Sequence, residues 1–105
     1  MARWGSTDAN EAEIVGLLNA IPGVTVAKLS QVGGGVPDLL VGHRGRNFLF
    51  EIKDPNKPPS GRKLTPAQVK FHDTWRGQVQ VAHTFGEILS VIQDLELNGE
   101  SDWIR

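Results

Sequence analysis

The chain has no cysteine, so neither a disulfide framework nor a thiolate metal site can be built from it. It has no apolar run approaching the ~18 residues that a membrane-spanning helix requires. Its first residues, MARWGSTDANEAE, lack the apolar centre of a secretory signal. No histidine stands in an HxH or HExxH pattern, which removes the common zinc spacings. Gly33-Gly34-Gly35 is followed by neither Lys-Ser nor Lys-Thr, and a strand rather than a helix comes after it, so it is not a Walker-type phosphate loop. No internal repeat is visible. These absences lead us to expect a cytoplasmic protein with no membrane association.

What is present suits one domain over residues 1–105, with a core over about 8–97 and a polar tail at 98–105. Apolar residues make up 39% and charged residues 22%, an ordinary balance for a globular chain. The net charge is -1, which argues against a polyanion as partner until it is divided along the chain. Residues 28–76 hold nine Lys/Arg against four Asp/Glu, while both flanks are acidic. A basic band of this kind attracts phosphate, although a solvated charged face has the same composition.

Periodicity and punctuation give the elements. Residues 8–20 read as a helix: Asp8 or Asn10 is placed to cap it, acids fill its first turn, and Ile14, Leu17, Leu18 and Ile21 recur at helical spacing. Strands are expected at 24–29, 38–43 and 47–53, with the turn between the last two over Gly42 to Asn47. Residues 54–65 hold three prolines and three basic side chains and read as an exposed, mobile loop. Thr65-Pro66 then starts a helix running to about Arg76, with Gly77 as its C-terminal cap. A strand at 78–85 and an amphipathic helix at 86–97 follow. The apolar face of that last helix, Ile88, Leu89, Ile92 and Leu95, is expected in the core. Trp103 and Ile104 offer a means of docking the tail. The order α-β-β-β-α-β-α implies an α/β fold, a small mixed sheet flanked by helices.

The charges at the strand ends need a reason. Alternation puts Phe48, Phe50 and Ile52 on one face and Asn47, Leu49, Glu51 and Lys53 on the other. If the two strands pair as a hairpin, Asp38 comes level with Glu51. Two carboxylates repel unless a cation lies between them. A hard divalent ion such as Mg2+ takes carboxylate oxygens and keeps several waters, one of which becomes a nucleophile. Lys53 then orients that water or meets developing negative charge. The bland alternative is a solvent-facing Glu–Lys pair.

Gln68 shares a helical face with Leu64, Phe71 and Trp75, so it needs a buried partner: Lys53, a catalytic water, or nearby backbone. Glu11 shares a face with Ile14 and Leu18 and points toward the same sheet, unless it only complements the helix dipole. Glu13 lies one residue off that face. His72, four residues after Gln68, borders the site. His43 and His83 read as structural or surface residues.

Together these residues resemble the PD-(D/E)xK nuclease superfamily. The motif is Pro37-Asp38, twelve residues, then Glu51-Ile52-Lys53. Within the superfamily the chain is similar to the VRR-NUC group, especially its short stand-alone members from bacteriophages, and to archaeal Holliday junction resolvases. GGGVPDLLV, FLFEIKD, LTPAQVKFHDTWRG and VQVAHTFGEIL carry the likeness, which covers roughly residues 8–93. It implies a restriction-endonuclease-like αβββαβ core plus a C-terminal helix. It also implies a Mg2+- or Mn2+-dependent endodeoxyribonuclease, acting as a homodimer on four-way DNA junctions.

The resemblance gives Asp38, Glu51, the Ile52 carbonyl and Glu11 as metal ligands, Lys53 as the catalytic lysine and Gln68 as its support. Lys57, Arg62, Lys63, Lys70 and His72 are the candidate DNA contacts. Two alternatives stay open: a flap or nicking nuclease in phage replication, repair or packaging, and a non-catalytic DNA-binding accessory module.

Overall fold

The computed structural model describes residues 9–94. Along them run α1 (Glu11–Asn19), β1 (Val24–Lys28), β2 (Leu39–His43), β3 (Arg46–Ile52), a 3-10 turn (Pro59–Arg62), α2 (Pro66–Thr74), β4 (Gln80–Ala82) and α3 (Phe85–Ile92). The fold is α/β: one four-stranded mixed sheet, ordered β1-β2-β3-β4 and flanked by helices. The first three strands pair antiparallel, and β4 lies parallel to β3. A parallel neighbour needs a long crossover, and the stretch containing α2 supplies it.

Alternation decides which face is core. Leu39 and Val41 of β2 and Phe48, Phe50 and Ile52 of β3 pack with Ile14 and Leu18 of α1 and Ile88 and Ile92 of α3. Each such side chain contributes about 1.5–3 kcal/mol by leaving water. The opposite face carries Leu40 and Leu49 and looks toward α2, a helix with no fully buried residue. Leu17, expected on the inner stripe of α1, is 43% exposed.

The hairpin between β2 and β3 is tighter than its sequence suggests. Gly42 and Asn47 are paired within the ladder, and the turn is Arg44-Gly45 alone. Both have positive φ, 55° and 78°, as a two-residue type I′ turn requires. The expected turn over Gly42 to Asn47 is therefore corrected. A Gly and an Asn flanking the turn read as loop residues, although both sit in extended backbone.

The helix ends also differ from expectation. Asn10 occupies the N-cap position of α1, but its side chain makes no cap bond. Its Nδ2 donates instead to the carbonyls of Lys53 (3.3 Å) and His83 (2.9 Å), tying α1 to the ends of β3 and β4. Asp8 lies outside the described residues. α2 stops at Thr74, with Trp75 already extended at ψ 130°. Gly77 thus does not cap the helix. A Cβ there would lie 2.8 Å from the Trp75 indole Nε1, so glycine makes room for the ring.

β4 spans three residues where eight were expected. The physical reason is Gln78. Its amide accepts from Leu49 N–H (2.6 Å) and donates to Leu49 C=O (3.1 Å), standing in for strand backbone. α3 begins at its cap Thr84, whose hydroxyl accepts from Glu87 N–H. Leu95, Trp103 and Ile104 lie outside the described residues. Among the described residues no helix is long and apolar enough to cross a membrane.

Candidate active site at the ends of β2 and β3

Pairing sets Leu39 opposite Phe50, and one further step of that register sets Asp38 opposite Glu51. The ladder stops there, yet the next donor is not left open. Ile52 N–H donates to Asp38 Oδ2 at 2.8 Å. An acidic residue opens β2 because its carboxylate continues the pairing where backbone no longer can. Buried Pro37 holds the chain extended on its approach. In an extended strand a residue's N–H and C=O leave by the same edge, so the Ile52 carbonyl also faces the Asp38 side.

Glu51 and Lys53 project from the α2 face of β3 and are 2% and 8% exposed. Their charged atoms lie 3.8 Å apart. Two buried ions cost several kcal/mol each to desolvate unless further hydrogen bonds complete them. Gln68 does this. Its Nε2 donates to Glu51 Oε2 at 2.9 Å, and its Oε1 accepts from Lys53 Nζ at 3.1 Å. The same Oε1 accepts from Thr65 N–H, while the Thr65 hydroxyl accepts from Gln68 N–H. This capping box starts α2. Of the partners considered for Gln68, both Lys53 and nearby backbone are therefore present.

Gly35 seats the first turn of α2. A Cβ on it would come 2.2 Å from the Ala67 carbonyl oxygen, and its φ is +82°. Gly33 and Gly34 share the positive φ but have open space around them. The triple glycine thus brings the loop before Asp38 directly against the turn that carries Gln68.

Glu11 is 1% exposed and reaches the same end of the sheet from the α1 side. There its Oε2 accepts from Ser30 Oγ at 3.4 Å. Among the described residues no three His, Cys, Asp or Glu side chains converge into a group that could hold a metal. Glu51, Lys53 and Gln68 bond to one another, and the Asp38–Ile52 contact lies beside them at the same strand end.

The donor set still suits a hard cation. It comprises two carboxylates on adjacent strands and a main-chain carbonyl, all oxygen, and Mg2+ is commonly held by one or two carboxylates with water filling the rest. Charge balance points the same way. Among the described residues the buried charged side chains are Glu11, Glu51, Asp54 and Lys53, three acids and one base.

The candidate DNA contacts fall on the stretch between β3 and the end of α2. Lys57, Lys63 and Lys70 are exposed, and Arg62 and His72 are half-buried. The loop expected over 54–65 is not structureless: buried Asp54 accepts from Asn56 N–H, and Pro59–Arg62 forms the 3-10 turn. Arg44 and Arg46 belong to the hairpin at the far end of β2 and β3, so the basic band is split between the two ends of the sheet. His72 is held below the usual imidazole range by its burial, with nearby Lys53 lowering it further and Asp73 opposing.

Sequence reasoning missed Asn10 as a brace, Ser30 beside Glu11, and the buried Asp54. The one usable signal was a strong helix-capping residue at 10, which proved to serve the strand ends instead. Comparison with protein-family models, characterised proteins and solved structures gave no significant match.

Proposed function

We propose that the chain is a metal-dependent endodeoxyribonuclease with a restriction-endonuclease-like core of the VRR-NUC type, acting as a homodimer on four-way DNA junctions. One observation carries this reading: Asp38 lies opposite Glu51 at a strand end, and Lys53 is held beside them by Gln68.

In this reading Asp38, Glu51 and the Ile52 carbonyl hold Mg2+ or Mn2+. Once bound, the ion makes a coordinated water acidic and balances charge on the phosphoryl group. Lys53 places an ammonium beside the scissile phosphate and meets charge that develops during attack. Gln68 fixes that ammonium through Oε1, and a rigid strand keeps the carboxylates in register. Lys57, Arg62, Lys63, Lys70 and His72 meet the phosphate backbone, which positions DNA without reading sequence. A junction has approximate two-fold symmetry and needs two opposed cuts, which a two-fold dimer matches.

The test is a cleavage assay on labelled four-way junction, flap, linear duplex and single strand, each with Mg2+, Mn2+ or EDTA. Paired metal-dependent cuts in the junction, abolished in Lys53→Ala, are expected. Cuts only in flaps or linear DNA discard the junction assignment. Binding without cleavage under every condition leaves a DNA-binding module and ends the enzymatic reading.

A further inference from the structure

Among the described residues, a slot of about 400 Å3 lies open between α2 and the sheet, within the ~300–1,000 Å3 typical of ligand pockets. Leu29, Leu40 and Leu49 line it from the sheet side, Phe71 and Trp75 from the helix side, and Asn47 stands at its rim. We propose that this slot receives an unpaired nucleobase of the strand held at the active site, an inference that rests on the nuclease reading above.

Position is the first argument. Leu49 and Glu51 share a face of β3 and are one strand repeat apart, about 7 Å. On the helix side Gln68 serves the site while Phe71, three residues on, serves the slot. A strand lying along this face passes from one to the other without changing direction.

The second argument is the indole. Trp75 is 46% exposed, yet it is packed on one side. Its ring stacks on Phe71 at 5.0 Å and 17°, and Gly77 lies against its Nε1 where a Cβ would intrude. A half-exposed indole seated on a second ring is a stacking platform, and every base has a π-face to set on it. Asn47 adds an exposed amide whose donor and acceptor suit a base edge.

Charge selects the occupant. α2, which walls the slot, carries exposed Lys70, with exposed Lys63 shortly before it and exposed Arg76 next to Trp75, against a single acid, Asp73. An uncharged apolar peptide gains nothing from these basic neighbours. An aromatic base on a polyanionic backbone matches both the apolar walls and the basic side chains on and beside α2.

The experiment is fluorescence anisotropy in EDTA, where no cutting occurs. The probe is a labelled oligothymidine, compared with a strand of equal length and charge in which abasic sites replace the bases. The wild type is expected to prefer the base-bearing strand by about 5- to 150-fold, the range of one stacked base. Trp75→Ala and the slot-filling Leu40→Phe should lose the preference, and Trp75→Phe should keep most of it. Equal affinity for both strands in the wild type overturns the proposal. So does a preference that survives in Trp75→Ala and Leu40→Phe. If Trp75→Ala instead splits a dimer in sedimentation while the preference stays, the slot is a contact between copies and the proposal falls. Base preference without any cleavage in Mg2+ keeps the slot and removes the nuclease reading. Cleavage without base preference does the reverse.

Discussion

Four hydrogen bonds meet on Gln68: three on its side-chain amide and one on its backbone N–H. Only an amide can serve here, because the side chain must accept from Thr65 and Lys53 and donate to Glu51 at once. Gln68→Ala leaves two buried charges short of a partner and should cost about 2–3 kcal/mol in a urea titration. Gln68→Glu keeps the cap acceptor but sets a carboxylate against Glu51. It should be at least as damaging to cleavage, and its folding should improve on acidification. His72 gives a pH prediction with a definite sign. Burial holds its folded pKa below the ordinary imidazole value of 6.5, so folding favours the neutral ring. The stability it contributes is complete above about pH 6.5 and is lost as pH falls through the lower folded value. Between pH 7.5 and 5.5 the wild type should lose more of its urea midpoint than His72→Gln. Equal losses would show that other groups govern this window.

At the scale of elements, the glycine loop and α2 are the sensitive junction. Gly35→Ala combines a positive φ with backbone contact at Ala67 and should cost at least about 2 kcal/mol. Gly34→Ala meets nothing within 4 Å and should cost only the backbone strain, about 1 kcal/mol or slightly more. Equal costs for the two would sever the loop from α2. Much of this layer was legible in the sequence. Alternation put Phe48, Phe50 and Ile52 on one face and Glu51 and Lys53 together on the other, and Thr65-Pro66 announced a capped helix. Other features were not, because side chains replaced backbone in ways no propensity registers. The Gln78 amide shortens β4, the Asn10 amide leaves its own helix for two strand carbonyls, and the Asp38 carboxylate extends a ladder. The Arg44-Gly45 turn was hidden because an arginine at positive φ is uncommon. Glu11 was correctly seen to face inward, but no spacing rule could show that Ser30 would meet it.

At the scale of the whole molecule, charge and metal are the levers. Mg2+ held only by the folded chain should raise the melting temperature in proportion to the logarithm of its concentration. Asp38→Asn should flatten that response, a readout that needs no cleavage. An equal rise in both proteins would place the ion elsewhere. DNA affinity should fall linearly on a log–log plot against salt, with a slope of about 0.9 per phosphate neutralised. Lys57→Ala or Lys63→Ala should each reduce that slope by about one and weaken all sequences alike. An unchanged slope would remove that lysine from the interface.

Because Gln68 is at once the capping residue of α2 and the brace of the strand-end charges, helix fraying and loss of the site are a single event. The site persists only as long as the first turn of α2 stays wound. Hydrogen exchange at the Gln68 amide, whose N–H is held by Thr65, therefore reads out how often the strand-end charge cluster dissolves while the sheet stays folded.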